Sequence, residues 1–156
     1  MPFNSGEYEK IINNFYGLME KNEDIANIKL SGDKWTLKEM VSHLIDSASN
    51  NHQRFIRLQL ASRLTFPAYD AEQWKNTTNI KDFDFSSLIS LWKYYNYFLL
   101  YLIKQIDKTS LDNVWEADGK GKTLKALIED YFVRHMNWHI DLYNDRIQEI
   151  KQHNSK

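Results

Sequence analysis

Cysteine is absent from the 156 residues, and glycine and proline are scarce. The first absence excludes disulfide bonds, cysteine nucleophiles and cysteine-type zinc sites, so any thiol chemistry requires a thiol from outside the chain. Because there are only five glycines and two prolines, few residues favour tight turns. The composition therefore favours a helical fold over an all-β fold.

The chain also lacks a large net charge and long apolar runs. The formal net charge of −1 provides no basic field for a nucleic-acid backbone. The longest wholly apolar or aromatic run, residues 97–103, is far shorter than the roughly 20 residues that cross a bilayer. The N-terminal residues show no basic region followed by an apolar one, as a signal peptide would. We therefore expect a cytoplasmic protein that binds small molecules but neither nucleic acid nor membranes.

Apolar residues recur at helical spacing in four segments. The predicted helices cover residues 7–19, 36–62, 88–106 and 123–150. Thr36 and Glu39 predict a capping box at the start of the second helix, and Asp84 and Thr123 are N-cap candidates for the next two. Residues 20–34 and 108–122 are predicted to be long connections. This pattern predicts an all-α fold, a four-helix bundle with long connections, as a single domain over residues 1–156.

Two of the five histidines, His135 and His139, are four residues apart on the fourth predicted helix. They project from one face and can share a divalent metal ion. On the second helix, His43 and His52 face about 180° apart, so only one can reach that site. His43 adjoins a polar stripe, whereas His52 lies past the apolar stripe and His153 lies in the polar tail. We predict His43 as the third ligand, with core histidines that have ordinary partners as the alternative.

Four further polar residues are candidates for the site. Asp46 is one turn from His43, where it can accept the free ring N–H or act as a general base, and we predict it as the catalytic group. Asn50 lies on the same polar stripe and is predicted to bind substrate. Arg54, roughly 16 Å from His43 by helix rise, and Arg146 are predicted to hold an anionic end of a substrate or thiol. The alternatives are surface positions or salt bridges.

Several of these residues carry a family resemblance. Trp35-Thr36-Leu37-Lys38-Glu39, His43 to Ser47, Asn50 and Arg54-Phe55 together resemble the second-helix signature of DinB/YfiT-like proteins. The Pro67-Ala68-Tyr69-Asp70 loop, Trp74 and the His135/His139 pair resemble the YfiT branch. The resemblance implies a four-helix bundle that holds a divalent metal, usually zinc or nickel, on three histidines that map onto His43, His135 and His139. Similar proteins are often dimers, so a homodimer is one expected assembly.

The resemblance leaves the reaction open, because similar proteins include thiol S-transferases, thiol-dependent isomerases and hydrolases. We expect a metal-dependent transferase that activates a low-molecular-weight thiol for attack on an electrophile. The alternatives are a metal-dependent hydrolase that uses water, and a non-catalytic metal-stabilised or stress-response binding protein. The aromatic residues of the third helix, Tyr94, Tyr95, Tyr97, Phe98 and Tyr101, are expected mainly in the core, and any left exposed would suit a dimer contact.

Overall fold

The computed structural model describes residues 3–155, most of which are helical. The helices are α1 (Ser5–Lys21), α2 (Leu37–Leu60), α3 (Ala71–Thr78), α4 (Phe85–Lys104), α5 (Leu124–Glu129) and α6 (Met136–Asn154). A π-helical segment, Asp130–His135, joins α5 to α6. The four long helical segments confirm the predicted four-helix bundle with long connections. None of the described helices is long and apolar enough to cross a membrane.

Side-chain caps fix where the main helices begin. At α2 the Thr36 hydroxyl accepts a hydrogen bond from the Glu39 amide at 3.0 Å, and the Glu39 carboxylate accepts one from the Thr36 amide at 2.9 Å. Asp84 caps α4 and Thr123 caps α5 in the same way. Each cap satisfies a backbone N–H that lacks a helical partner. The predicted caps of α2, α4 and α5 are confirmed, although α1 and α4 begin two and three residues before the predicted 7 and 88.

Aromatic rings from three helices meet in the core. The Phe15 ring of α1 packs edge-on against Trp92 of α4 at 5.2 Å and against Tyr143 of α6 at 5.4 Å, measured between ring centroids. All three side chains are almost fully buried. Edge-to-face pairs add about 0.5–1.5 kcal/mol beyond the burial of their area. This cluster holds α6, which carries His139, at a fixed position in the bundle.

A small sheet lies beside the bundle and was not predicted. Its strands are β1 (Arg63–Thr65), β2 (Val114–Ala117) and β3 (Lys120–Thr123), with β1 parallel to β2 and β2 antiparallel to β3. The β2–β3 turn is formed by Asp118 and Gly119, at φ of 53° and 74°. Asp-Gly is a strong hairpin signal, because both central residues of such a turn need positive φ. Residues 108–122 connect α4 to α5 as predicted, but they contain β2 and most of β3, which the prediction did not include.

The aromatic residues of α4 divide between two faces. Helical spacing places the core residues on one side, and these are Leu88, Trp92, Asn96, Leu99 and Ile103. Tyr94, Phe98 and Tyr101 lie on the opposite side and are exposed. The expectation of core packing is therefore wrong for these three rings. Tyr95 is half-buried and its hydroxyl lies 2.9 Å from Nδ1 of His52, which is turned away from the other histidines as predicted.

Candidate metal centre

Three histidines from different parts of the bundle converge on one point. The Nε2 atom of His139 lies 3.3 Å from Nε2 of His43 and 3.1 Å from Nε2 of His135. One ring nitrogen from each of the three lies within 4.8 Å of the others. Two nitrogen ligands bound tetrahedrally to zinc are about 3.3 Å apart, given bond lengths of about 2.0–2.1 Å. The spacing therefore fits a single metal ion.

The protonation state of these rings also fits a metal site. Burial, followed by the charge of His135, lowers the pKa of His43 to about 4. Burial and the neighbouring imidazoles lower the pKa of His139 to about 3, and burial lowers that of His135. The rings are neutral at neutral pH, so each has one N–H and one lone pair. Three Nε2 atoms this close together cannot all be paired by hydrogen bonds among themselves. All three can, however, donate lone pairs to a single cation.

His135 is the last residue of the π-helical segment. Such wider turns occur frequently at functional sites, and they shift the phase of the helix before them. His139 shares the buried face of α6 with Met136 and Tyr143, whereas His135 and His43 are half-buried. His135 is therefore more open to solvent than His139. Because His135 is not sealed in the core, the convergent nitrogens lie next to open space.

An apolar cavity of about 510 Å³ adjoins the three histidines. All three imidazoles line it, together with the side chains of Trp35, Met40, Trp138 and Leu142. Arg146, Asp145 and Glu149 also line it. We call it the apolar cavity. Its walls suit an uncharged, largely apolar molecule.

A second cavity, of about 560 Å³, shares His135 and Trp138 with the first. Its lining is more polar and includes Ser47, Asn51, Arg54, Tyr69, Trp115 and Asp130. We call it the arginine cavity. The two cavities therefore meet at His135, one member of the histidine cluster, and at Trp138.

Comparison with known proteins identifies the fold. No family model matches the chain, and no curated protein matches its sequence. Its structure is similar to that of YfiT from Bacillus subtilis, described as a probable metal-dependent hydrolase with an unusual four-helix bundle topology. The match covers 92% of this chain and 87% of that chain, with a TM-score of 0.63 and 17% sequence identity. This chain has a DinB/YfiT-like fold.

Within this YfiT-like fold, Asp46 does not occupy the predicted place. It is buried, and burial raises its pKa to about 6. Neither its Oδ2 atom nor Nδ1 of His43 has a hydrogen-bond partner in the described part of the chain. The predicted hydrogen bond between them is therefore not formed. Asp46 lines neither cavity at the histidines.

The other predicted polar residues are distributed over three cavities. Arg54 lines the arginine cavity and Arg146 lines the apolar cavity. Arg146 donates a hydrogen bond to the backbone carbonyl of Trp35, and its Nε atom is 3.6 Å from a Glu149 carboxylate oxygen. Asn50 donates to the Asp46 carbonyl at 2.8 Å and lines a third cavity beside the loop of residues 66–70. The structure thus separates Asn50 from the histidine cluster.

Two aromatic residues belong to the site although no role was predicted for them. The Tyr69 ring is 6.2 Å from that of His43, and burial followed by the charge of Asp46 raises the pKa of Tyr69 to about 12. It is therefore a neutral hydrogen-bond donor. The Trp138 ring is 4.8 Å from that of His139. Both lie in segments that carry the family resemblance, and this position was the sequence feature that could have identified them as site residues.

Proposed function

We propose that this protein is a divalent-metal-dependent transferase that joins a low-molecular-weight thiol to a small electrophile. The observation that carries the proposal is the convergence of three neutral Nε2 atoms, from His43, His135 and His139, where two cavities of different chemistry meet. Imidazole ligands suit both zinc and nickel. Two adjoining cavities suit a reaction between two molecules.

The three histidines would hold the ion without adding negative charge. A divalent ion in such a site supplies Lewis acidity, which lowers the pKa of a thiol or a water molecule. His135 and Trp138 line both cavities, so groups that enter from either side reach the same point. Trp35 and Leu142 provide an apolar wall that keeps water from the electrophile.

In the proposed transfer, the thiol loses its proton and its sulfur bonds to the electrophilic carbon. The leaving group departs with the electron pair of the broken bond. The chain supplies no sulfur, because it has no cysteine. Because Asp46 lines neither cavity, we propose that it accepts the thiol proton by relay rather than by direct contact, and its pKa of about 6 suits such uptake at neutral pH. Its charge acts on Tyr69, which lines the arginine cavity.

A metal-dependent hydrolase is the second candidate. The likeness of the fold to YfiT, described as a probable metal-dependent hydrolase, favours it. The same three histidines would serve, with water in place of the thiol. Only a requirement for added thiol separates the two reactions.

The test begins with the metal content of protein incubated with zinc or nickel, for wild type, His43→Ala and His135→Ala. The exposed tail variant His153→Ala is the control. Loaded wild type is then mixed with monobromobimane with and without a low-molecular-weight thiol, and separately with para-nitrophenyl acetate. We expect thiol-dependent conjugation that both site variants lose. Ester turnover without thiol would favour the hydrolase, and a wild type that binds almost no metal would overturn both.

A further inference from the structure

Arg54 is a buried cation with no anionic partner among residues 3–155. Its side chain is only 8% exposed, and its Nε atom has no hydrogen-bond partner among residues 3–155. Its one hydrogen bond in that range, from an Nη atom to the Asn51 side-chain oxygen, is long at 3.5 Å. No carboxylate of the described chain forms an ion pair with it. A buried charge is unfavourable unless it is paired, so this guanidinium favours an anionic ligand.

The guanidinium is held in place by Trp115. Its central carbon lies 4.1 Å from the centroid of the Trp115 ring. The indole N–H of Trp115 donates to the backbone carbonyl of Phe66 at 2.8 Å, which fixes the ring. A cation over a ring face is attracted to the ring without using its N–H donors, which stay available for an oxyanion. Arg54 is therefore pre-organised as a fork for an oxyanion.

Of the three cations that line the arginine cavity, Arg54 is the one without an ion pair among residues 3–155. Lys122 and Arg134 both pair with Asp130, at 2.7 Å and 2.6 Å, so the one carboxylate in the lining is already engaged. Ser47, Asn51 and Tyr69 add neutral polar groups. In the apolar cavity, by contrast, Arg146 already contacts Glu149 and the Trp35 carbonyl. An incoming anion is better matched by Arg54 than by Arg146.

We propose that the arginine cavity is an oxyanion subsite in which Arg54 binds a carboxylate or phosphate group of the thiol substrate. This proposal rests on the thiol transfer proposed above. The backbone of Arg54 is roughly 16 Å from that of His43 along the helix. A thiol that contacts Arg54 and the histidines together must be extended, with its anionic group many bonds from its sulfur.

Anion binding is tested separately from the reaction. Inorganic phosphate and succinate are titrated calorimetrically into wild type and into His139→Ala, which removes a metal ligand but no arginine. The test variants are Arg54→Gln and Arg54→Lys, and the control is Arg57→Gln, an exposed arginine one turn along α2. We expect the dissociation constant to rise about tenfold or more in Arg54→Gln, less in Arg54→Lys, and less than about twofold in the control. The preferred anion distinguishes phosphate from carboxylate.

Equal affinity in wild type and Arg54→Gln would overturn the proposal. So would loss of binding in His139→Ala, because the anion would then be bound by the histidine cluster. If Arg54→Gln does not fold, the arginine Nε–H resonances of wild type provide the test. The Arg54 signal is expected to shift on addition of the anion, and an unchanged signal up to saturating concentrations contradicts the subsite. Anion binding without thiol transfer would leave the subsite intact and overturn only the proposed reaction.

Discussion

The two cavities that meet at His135 and Trp138 differ in chemistry although they share a wall. The apolar cavity contains all three convergent imidazoles, which burial keeps neutral. The arginine cavity contains a buried cation with polar neighbours. The first suits a metal ion and an apolar molecule, and the second suits an anion. In the proposed function one cavity serves reactivity and the other selection, and each variant below acts mainly on one of them.

Removal of a metal ligand should have the largest effect, and only on the apolar cavity. His139→Ala deletes the nitrogen that lies 3.1 Å and 3.3 Å from the other two. We expect metal affinity to fall by roughly a thousandfold, because loss of even an outer hydrogen-bond partner costs about 10–100-fold. Competition with a chromogenic chelator measures it. His52→Ala, on the far face of α2, is the control, and an equal loss there would contradict the three-histidine site.

Acid should weaken the histidine cluster while Arg54 keeps its charge. Histidine in the unfolded chain titrates near 6.5, whereas folded His43 and His139 titrate near 4 and 3. Between pH 4 and 6.5 the unfolded chain binds more protons at these residues, so stability is lost as the pH falls. Asp46 acts in the opposite direction, because its folded pKa of about 6 exceeds the ordinary value. The stability lost through the two histidines exceeds the stability gained through the one carboxyl group.

Urea unfolding of the metal-free protein at pH 6.5 and 4.5 measures this balance. We expect the free energy of unfolding to fall by about 3 kcal/mol, from roughly 1.4 kcal/mol for each shifted pKa unit. Zinc at pH 6.5 should raise stability further, since only the folded state presents the assembled site. Unchanged stability on acidification would show that these histidines are not buried in their neutral form.

The apolar wall can be altered without touching a charge. Leu142→Asn places an amide in the apolar cavity, which Leu142 lines beside His139. We expect the KM for an apolar electrophile to rise about tenfold. The bound electrophile would strip water from the amide and offer it no hydrogen bond in return. Phosphate affinity at the arginine cavity should not change. Leu91→Asn, on the exposed side of α4, is the matched control, and equal effects at both positions would contradict selective damage to the cavity.

The sequence predicted the apolar side of this comparison better than the arginine side. The relevant residues lie on long helices, where the i, i+4 spacing of His135 and His139 and the phase of His43 against His52 specify the direction of each side chain. The capping box at Thr36 fixed the start of α2. The π-helical segment changed only the degree of burial at His135. Local periodicity was therefore sufficient to select the three histidines that converge.

The arginine side depends on contacts between residues far apart in the chain. Arg54 was selected, but Trp115 was not, because β2 was predicted to be a connection. Tyr69 reaches the site from a loop that has no periodicity. Asp46 was misplaced because a helical wheel gives direction without showing what a side chain contacts. Burial without an ion-pair partner among residues 3–155, which distinguishes Arg54 from Arg146 beside Glu149, is visible only in three dimensions.

The smallest predicted effect tests whether the hairpin serves only the arginine cavity. Gly119 occupies a left-handed conformation at φ 74° and a Cβ there would meet no atom within 4 Å, so Gly119→Ala adds backbone strain alone. We expect the free energy of unfolding to fall by about 1 kcal/mol. Phosphate affinity should fall a few-fold, because Trp115 on β2 loses its fixed position against Arg54. Gly32→Ala, equally uncrowded but without positive φ, is the control. Metal affinity should match wild type, and a parallel loss of metal would show that the cavities are one coupled site.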